Sequence, residues 1–147
     1  MYETIKWLHL AGAIIWMGGM AFVLWALRPS LGGLASDVRV TLMGRVLSRF
    51  FSLVWACIAL LLASGFWMLL SADMRLAPKG WHAMSGLGLL MCLIFAHIWF
   101  APYRQLRRAL AQADWAQAGQ AMTRIHPLVV TNFCLGWLAI AAVIIWR

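Results

Sequence analysis

Four histidines, His9, His82, His97 and His126, are the residues of this chain whose type and spacing best suit chemistry. Each lies inside, or at the end of, a long apolar run. An ionisable side chain in such a setting marks a functional site by default. His9 is followed at helical spacing by Gly12, Trp16 and Gly19, and His82 by Ser85 and Gly86. Glycine on a helix face admits a second helix or a flat cofactor at close range. Positions 82, 86, 89, 93 and 97 keep roughly one face of a helix, and His82 to His97 spans about 22 Å of helical rise. That helix therefore offers one imidazole near each side of a bilayer.

Imidazole is an ordinary axial ligand of haem iron. The pattern predicts a haem b between His9 and His82, in a pocket shaped by Gly12, Trp16, Gly19 and Gly86. His97 and His126 form a second candidate site, which allows a second haem. Lys6 and Lys79 near the first pair, and Arg104, Arg107 and Arg124 near the second, suit the propionates. Copper is the alternative metal. His9 and His82 with Met17 and Met20 make a soft nitrogen and thioether set of the kind Cu(I) prefers, and Met84 and Met91 lie below His82. A third reading is a non-catalytic membrane scaffold whose histidines are structural.

Other chemistries find little support. The acids Glu3, Asp37, Asp73 and Asp114 all fall outside the apolar runs. No intramembrane carboxylate is then available to an ion-driven transporter, and no glycine-rich phosphate loop is present. The polar residues within the runs are Ser52, Ser64, Ser85, Thr131 and Asn132, and Asn132 is expected to hydrogen-bond between helices. Cys57, Cys92 and Cys134 are an odd number without zinc spacing, and read as small apolar side chains.

These residues need a frame, and composition supplies one. Of the 147 residues, 65% are hydrophobic and 11% are charged. A soluble domain carries about 25% charge, and one this small has too little interior to hide so much apolar surface. The chain is expected to be an all-α integral membrane protein, a single-domain four-helix up-down bundle over residues 1–147. The spans are expected at about 5–27, 50–70, 81–101 and 127–146, each near the 20 residues a bilayer requires. Arg28-Pro29 and Pro102 end the first and third spans, Pro127 suits the first turn of the fourth helix, and Asp73 and Pro78 mark the short second connection. The segment from Arg104 to Arg124 either extends the third helix or lies on the membrane surface.

The net charge of +8 sits in the connections rather than on one nucleic-acid-binding face. Arg28, Arg39, Arg45 and Arg49 occupy the first connection and Arg104, Arg107, Arg108 and Arg124 the third, against Arg75 and Lys79 in the second. The positive-inside rule then puts both termini on the non-cytoplasmic side of the inner membrane. Trp7, Trp67, Trp81 and Trp146 suit one interfacial belt and Trp25 and Trp99 the other, while Trp16 and Trp137 fall near mid-membrane as packing residues.

The first run reads Lys6-Trp7-Leu8-His9-Leu10 and then Ile15-Trp16-Met17-Gly18-Gly19. This resembles the opening of the copper-resistance D (CopD) domain family and of the HemJ-type protoporphyrinogen oxidases. Arg45 to Leu70, with Ser64-Gly65, resembles their second span, and Trp81-His82-Ala83 the start of the HemJ third span. The resemblance implies a small four-helix membrane protein that either moves copper across the inner membrane or carries haem b in membrane redox chemistry. It also implies His9 and His82 as ligands. The haem reading itself calls for a quinone or another redox protein as partner beside the membrane lipid. The chain departs from the HemJ pattern at Met84, where that type carries lysine, and at Ile125-His126-Pro127, where it carries an acid before the proline.

Overall fold

The computed structural model describes residues 1–71 and 78–146. Asp73, Arg75 and Arg147 lie outside the described residues. Helix α1 (Tyr2–Ala21) runs without a break through a π-helical segment (Phe22–Leu27) into the short turn α2 (Arg28–Ser30). Helices α3 (Ser36–Ser71), α4 (Lys79–Phe100), α5 (Pro102–Ala111) and α6 (Trp115–Ile145) follow. Among the described residues there is no strand. Four helical stretches, Tyr2–Ser30, Ser36–Ser71, Lys79–Ala111 and Trp115–Ile145, are long and apolar enough to cross a membrane. Each covers one expected span, and the protein is an all-α membrane bundle.

Alternation of direction gathers Met1, Ser71, Lys79 and Trp146 at one end, here the terminal end. The other, the arginine end, carries the first and third connections. Helix α1 packs on α3 and α6, and α4 packs on α3 and α6, which leaves α1 and α4 diagonal.

The helices overrun the expected spans at the arginine end. Ala101 (φ −109°, ψ −89°) breaks α4, and Pro102 opens α5 at a position where its missing N–H leaves nothing unpaired. Helix α5 is amphipathic. Pro102, Tyr103, Leu106 and Ala109 are buried, whereas Arg104, Arg107 and Arg108 are exposed. Asp114 caps α6 by accepting from the Gln117 N–H at 2.9 Å. Pro127 therefore lies inside α6 rather than in its first turn. The helix starts at Trp115 because Ala118, Ala121 and Ile125 bury a small-residue face against α5, and that packing outweighs the one backbone bond Pro127 forgoes.

Side-chain volume is distributed unevenly along the bundle. Toward the arginine end the core holds Met43, Leu47, Phe51, Val54, Phe95, Ile98, Leu106 and Ile125. In the third of the bundle nearest the termini, the buried described residues are Gly12, Ser64, Gly80, Ala139 and Ala142. The terminal end closes through backbone approach instead. The Gly80 N–H donates to the Trp146 carbonyl at 3.0 Å.

Candidate functional site

His9 is half-buried on α1 and turned toward α3. Its Nδ1 lies 2.8 Å from Ser64 Oγ. Gly65 makes room for the ring, since a Cβ there would stand 3.3 Å from His9 Cε1. The Ser64 hydroxyl has one proton, and it is committed to the Leu60 carbonyl at 2.6 Å. Ser64 Oγ then accepts and His9 Nδ1–H donates, the arrangement of a neutral tautomer whose Nε2 lone pair is free. A metal-ligating histidine is oriented in this way, its second nitrogen held by a neighbouring acceptor.

His82 does not meet it. Counting back from the level at which Met17 and Met91 converge puts His82 within one residue of the height of His9. Its direction is the difference. The face formed by His82, Gly86, Leu89, Leu93 and His97 is exposed throughout, with Leu89 at 56% and Leu93 at 61%. The inward face of α4 carries Gly80, Met91, Phe95 and Ile98. His82 and Met91 are nine residues apart, or about half a revolution of the helix. The stripe expected to present two imidazoles to the bundle presents them outward.

The expected pocket residues do not wall a common space. A Cβ at Gly12 would meet Leu60 and Leu61 of α3 at 3.4 Å, and the site of a Gly19 Cβ is filled by the Phe50 ring. Both glycines serve the α1–α3 contact. Nothing lies within 4 Å of a Cβ at Gly86. Trp16, 3% exposed, fills the diagonal between α1 and α4 by packing edge-on against Phe95 at 6.1 Å. A haem held between His9 and His82 does not fit this arrangement. The second expected pair separates likewise. His97 is exposed on the outward face, whereas His126 is half-buried and lines a cavity with no α4 residue in its wall.

The bundle does bring thioethers together. Met17 of α1 and Met91 of α4 converge on α6 at Gly136. The place of a Gly136 Cβ is taken by the Met17 sulfur, with Met91 Cε 3.2 Å away. Asn132 lies one turn along the same face of α6. It is 1% exposed, and its Oδ1 has no hydrogen-bond partner. The expected interhelical bond from this oxygen is not made. Met20, also buried, sits one turn beyond Met17, at the height of Asn132. The pattern extends further. Met17, Met20, Met43, Met68, Met84, Met91 and Met122 are all buried or half-buried, while the exposed faces are built largely from Leu, Ile, Phe and Trp.

Sequence reasoning singled out Met17, Met20 and Met91 but missed Ser64 as the partner of His9, and missed Met43 and Met122. The Ser64-Gly65 pair was the available signal. It places a hydroxyl beside a gap, at the height where an antiparallel neighbour carries its histidine. Among the described residues no three of His, Cys, Asp and Glu cluster as a metal site.

A family model described as "Copper resistance protein D" (CopD) matches residues 44–146. It takes in most of α3 and all of α4, α5 and α6, and leaves out the motif around His9. No curated protein and no solved structure matches the chain.

Proposed function

The chain belongs to the copper-resistance protein D family, and from that premise we propose that it is a Cu(I)-binding membrane protein that passes copper through the inner membrane. The observation that carries this reading is the convergence of Met17 and Met91 at Gly136, one turn from the unpartnered Oδ1 of Asn132. Thioethers select soft Cu(I) over hard cations. An ion in low dielectric must also be offset electrostatically. With no carboxylate in the apolar runs, the negative end of the Asn132 amide dipole is what the middle of the bundle offers. His9, its Nε2 free, is the acceptor nearer the termini. The arginine end is the cytoplasmic face by the positive-inside rule, which leaves both termini outside.

Titration of the detergent-purified chain with Cu(I) against a chromogenic chelator tests the reading. Methionine to leucine conserves volume and is tolerated in cores, so Met17→Leu/Met91→Leu isolates the loss of sulfur. Wild type is expected to outcompete the chelator and the double variant to fail. Equal binding by both removes the central site.

A haem b held by His9 alone is the second reading, favoured by the free Nε2. It predicts a Soret band in the purified protein that His9→Ala abolishes, with no dependence on Met17 or Met91.

A further inference from the structure

A second set of soft side chains lies near the arginine end, apart from the convergence of Met17 and Met91. A cavity of about 20 Å³ is walled mostly by aliphatic side chains of the π-helical segment, α3 and α6, and is also bounded by Arg28, Met43 of α3, and Met122 and His126 of α6. This volume suits one water molecule or one small ion and nothing larger. Its wall joins two thioethers and one imidazole and includes no carboxylate. Hard cations lack their oxygen ligands here, and a soft monovalent metal finds the donors it prefers. The wall also includes part of the π-helical segment that continues α1. The Arg28 N–H bonds the Val23 carbonyl five residues back. Such π turns occur mostly as single insertions, frequently at functional sites. Here the wide turn ends at Arg28, which shares the cavity wall with His126.

We propose that Met43, Met122 and His126 form a second Cu(I) site near the arginine end, weakened by Arg28, from which the ion is released. This rests on the copper reading above and adds a second site to it. A transit site must bind well enough to fill and weakly enough to empty. The two thioethers and the imidazole supply the first property. The Arg28 guanidinium supplies the second, because its positive charge opposes the charge of the bound ion. The two sites then differ by design, the central one remote from any fixed cation and the second placed beside one.

The test is a Cu(I) competition titration of the full chain in detergent, carrying His9→Ala so that the acceptor nearer the termini is removed, read as stoichiometry and as two affinities. This parent protein is expected to take two equivalents. Met43→Leu/Met122→Leu/His126→Gln is expected to take one, with the tighter affinity unchanged. Arg28→Gln, a change at an exposed residue, is expected to tighten the weaker site roughly tenfold, the order of effect of one nearby charge screened by solvent. If the triple variant fails to fold, the Arg28→Gln affinity decides alone. Two equivalents in a folded triple variant, or an unchanged weaker site in Arg28→Gln, overturn the second site and leave the central one standing. If the parent takes one equivalent, lost in Met17→Leu/Met91→Leu, only the second site falls. If it takes none, both readings fall together.

Discussion

His9 and Ser64 are joined across the α1–α3 interface by a hydrogen bond of 2.8 Å, and because the Ser64 proton goes to Leu60 at 2.6 Å, the bond sets which imidazole nitrogen is free. Replacing Ser64 with alanine removes the acceptor and lets the ring rotate. Loss of such an orienting partner typically costs about 10- to 100-fold in metal affinity. Ser64→Ala is therefore expected to weaken the site that includes His9 by that order in a competition titration, with the helical circular dichroism of wild type.

The exposed histidines of α4 give a contrasting prediction. His82 and His97 face outward together with Leu89 and Leu93. His82→Ala and His97→Ala are expected to change stability by no more than about 0.5 kcal/mol and to leave metal binding at the wild-type value. His9→Ala is expected to lower it. Thermal denaturation in detergent and the same titration check both statements.

Two glycines of α4 separate close packing from open surface. A Cβ at Gly80 would run into the backbone carbonyls of Ala142 and Trp146, whereas one at Gly86 meets nothing within 4 Å. Backbone cannot yield as a side-chain tip can. Gly80→Ala is expected to destabilise the bundle by about 1–3 kcal/mol or more. Gly86→Ala is expected to be neutral or to stabilise by up to about 1 kcal/mol through helix propensity. A chemical denaturation series on the two variants checks the order.

Asn132 holds an unpaired oxygen at 1% exposure. A buried acceptor without a partner costs about 1–3 kcal/mol. Asn132→Leu, similar in size, is expected to raise the stability of the metal-free protein by roughly that amount. It is also expected to weaken Cu(I) binding, since the amide dipole is lost. A gain in stability together with unchanged copper affinity would assign Asn132 no part in the site.

The frame of this protein was legible because lipid as solvent dictates it. Apolar runs of the required length, ended by Arg28-Pro29 and by Pro102, describe the spans with little ambiguity. The extensions beyond them were not legible. Residues 36–49 and 115–126 lack the hydropathy of a span, and they are helical because Val40, Met43 and Leu47 on one side and Ala118, Ala121 and Ile125 on the other find buried partners. The inward face of α4 was misread for a related reason. In a soluble helix the apolar side points to the core, but a helix that is apolar all round gives no such direction. The stripe through His82, Gly86 and His97 was as periodic as the one through Met91, Phe95 and Ile98. Only packing against α6 decides between them. Ser64 escaped notice because its role depends on the height at which α1 and α3 meet, a relation between elements rather than a property of either.

The central claim concerns sulfur at mid-membrane, and X-ray absorption at the copper K-edge reads it most directly. Wild-type protein loaded with one equivalent of Cu(I) is predicted to show copper–sulfur scattering that is lost in Met17→Leu/Met91→Leu. A copper shell of nitrogen and oxygen alone, the same in both proteins, would contradict the account.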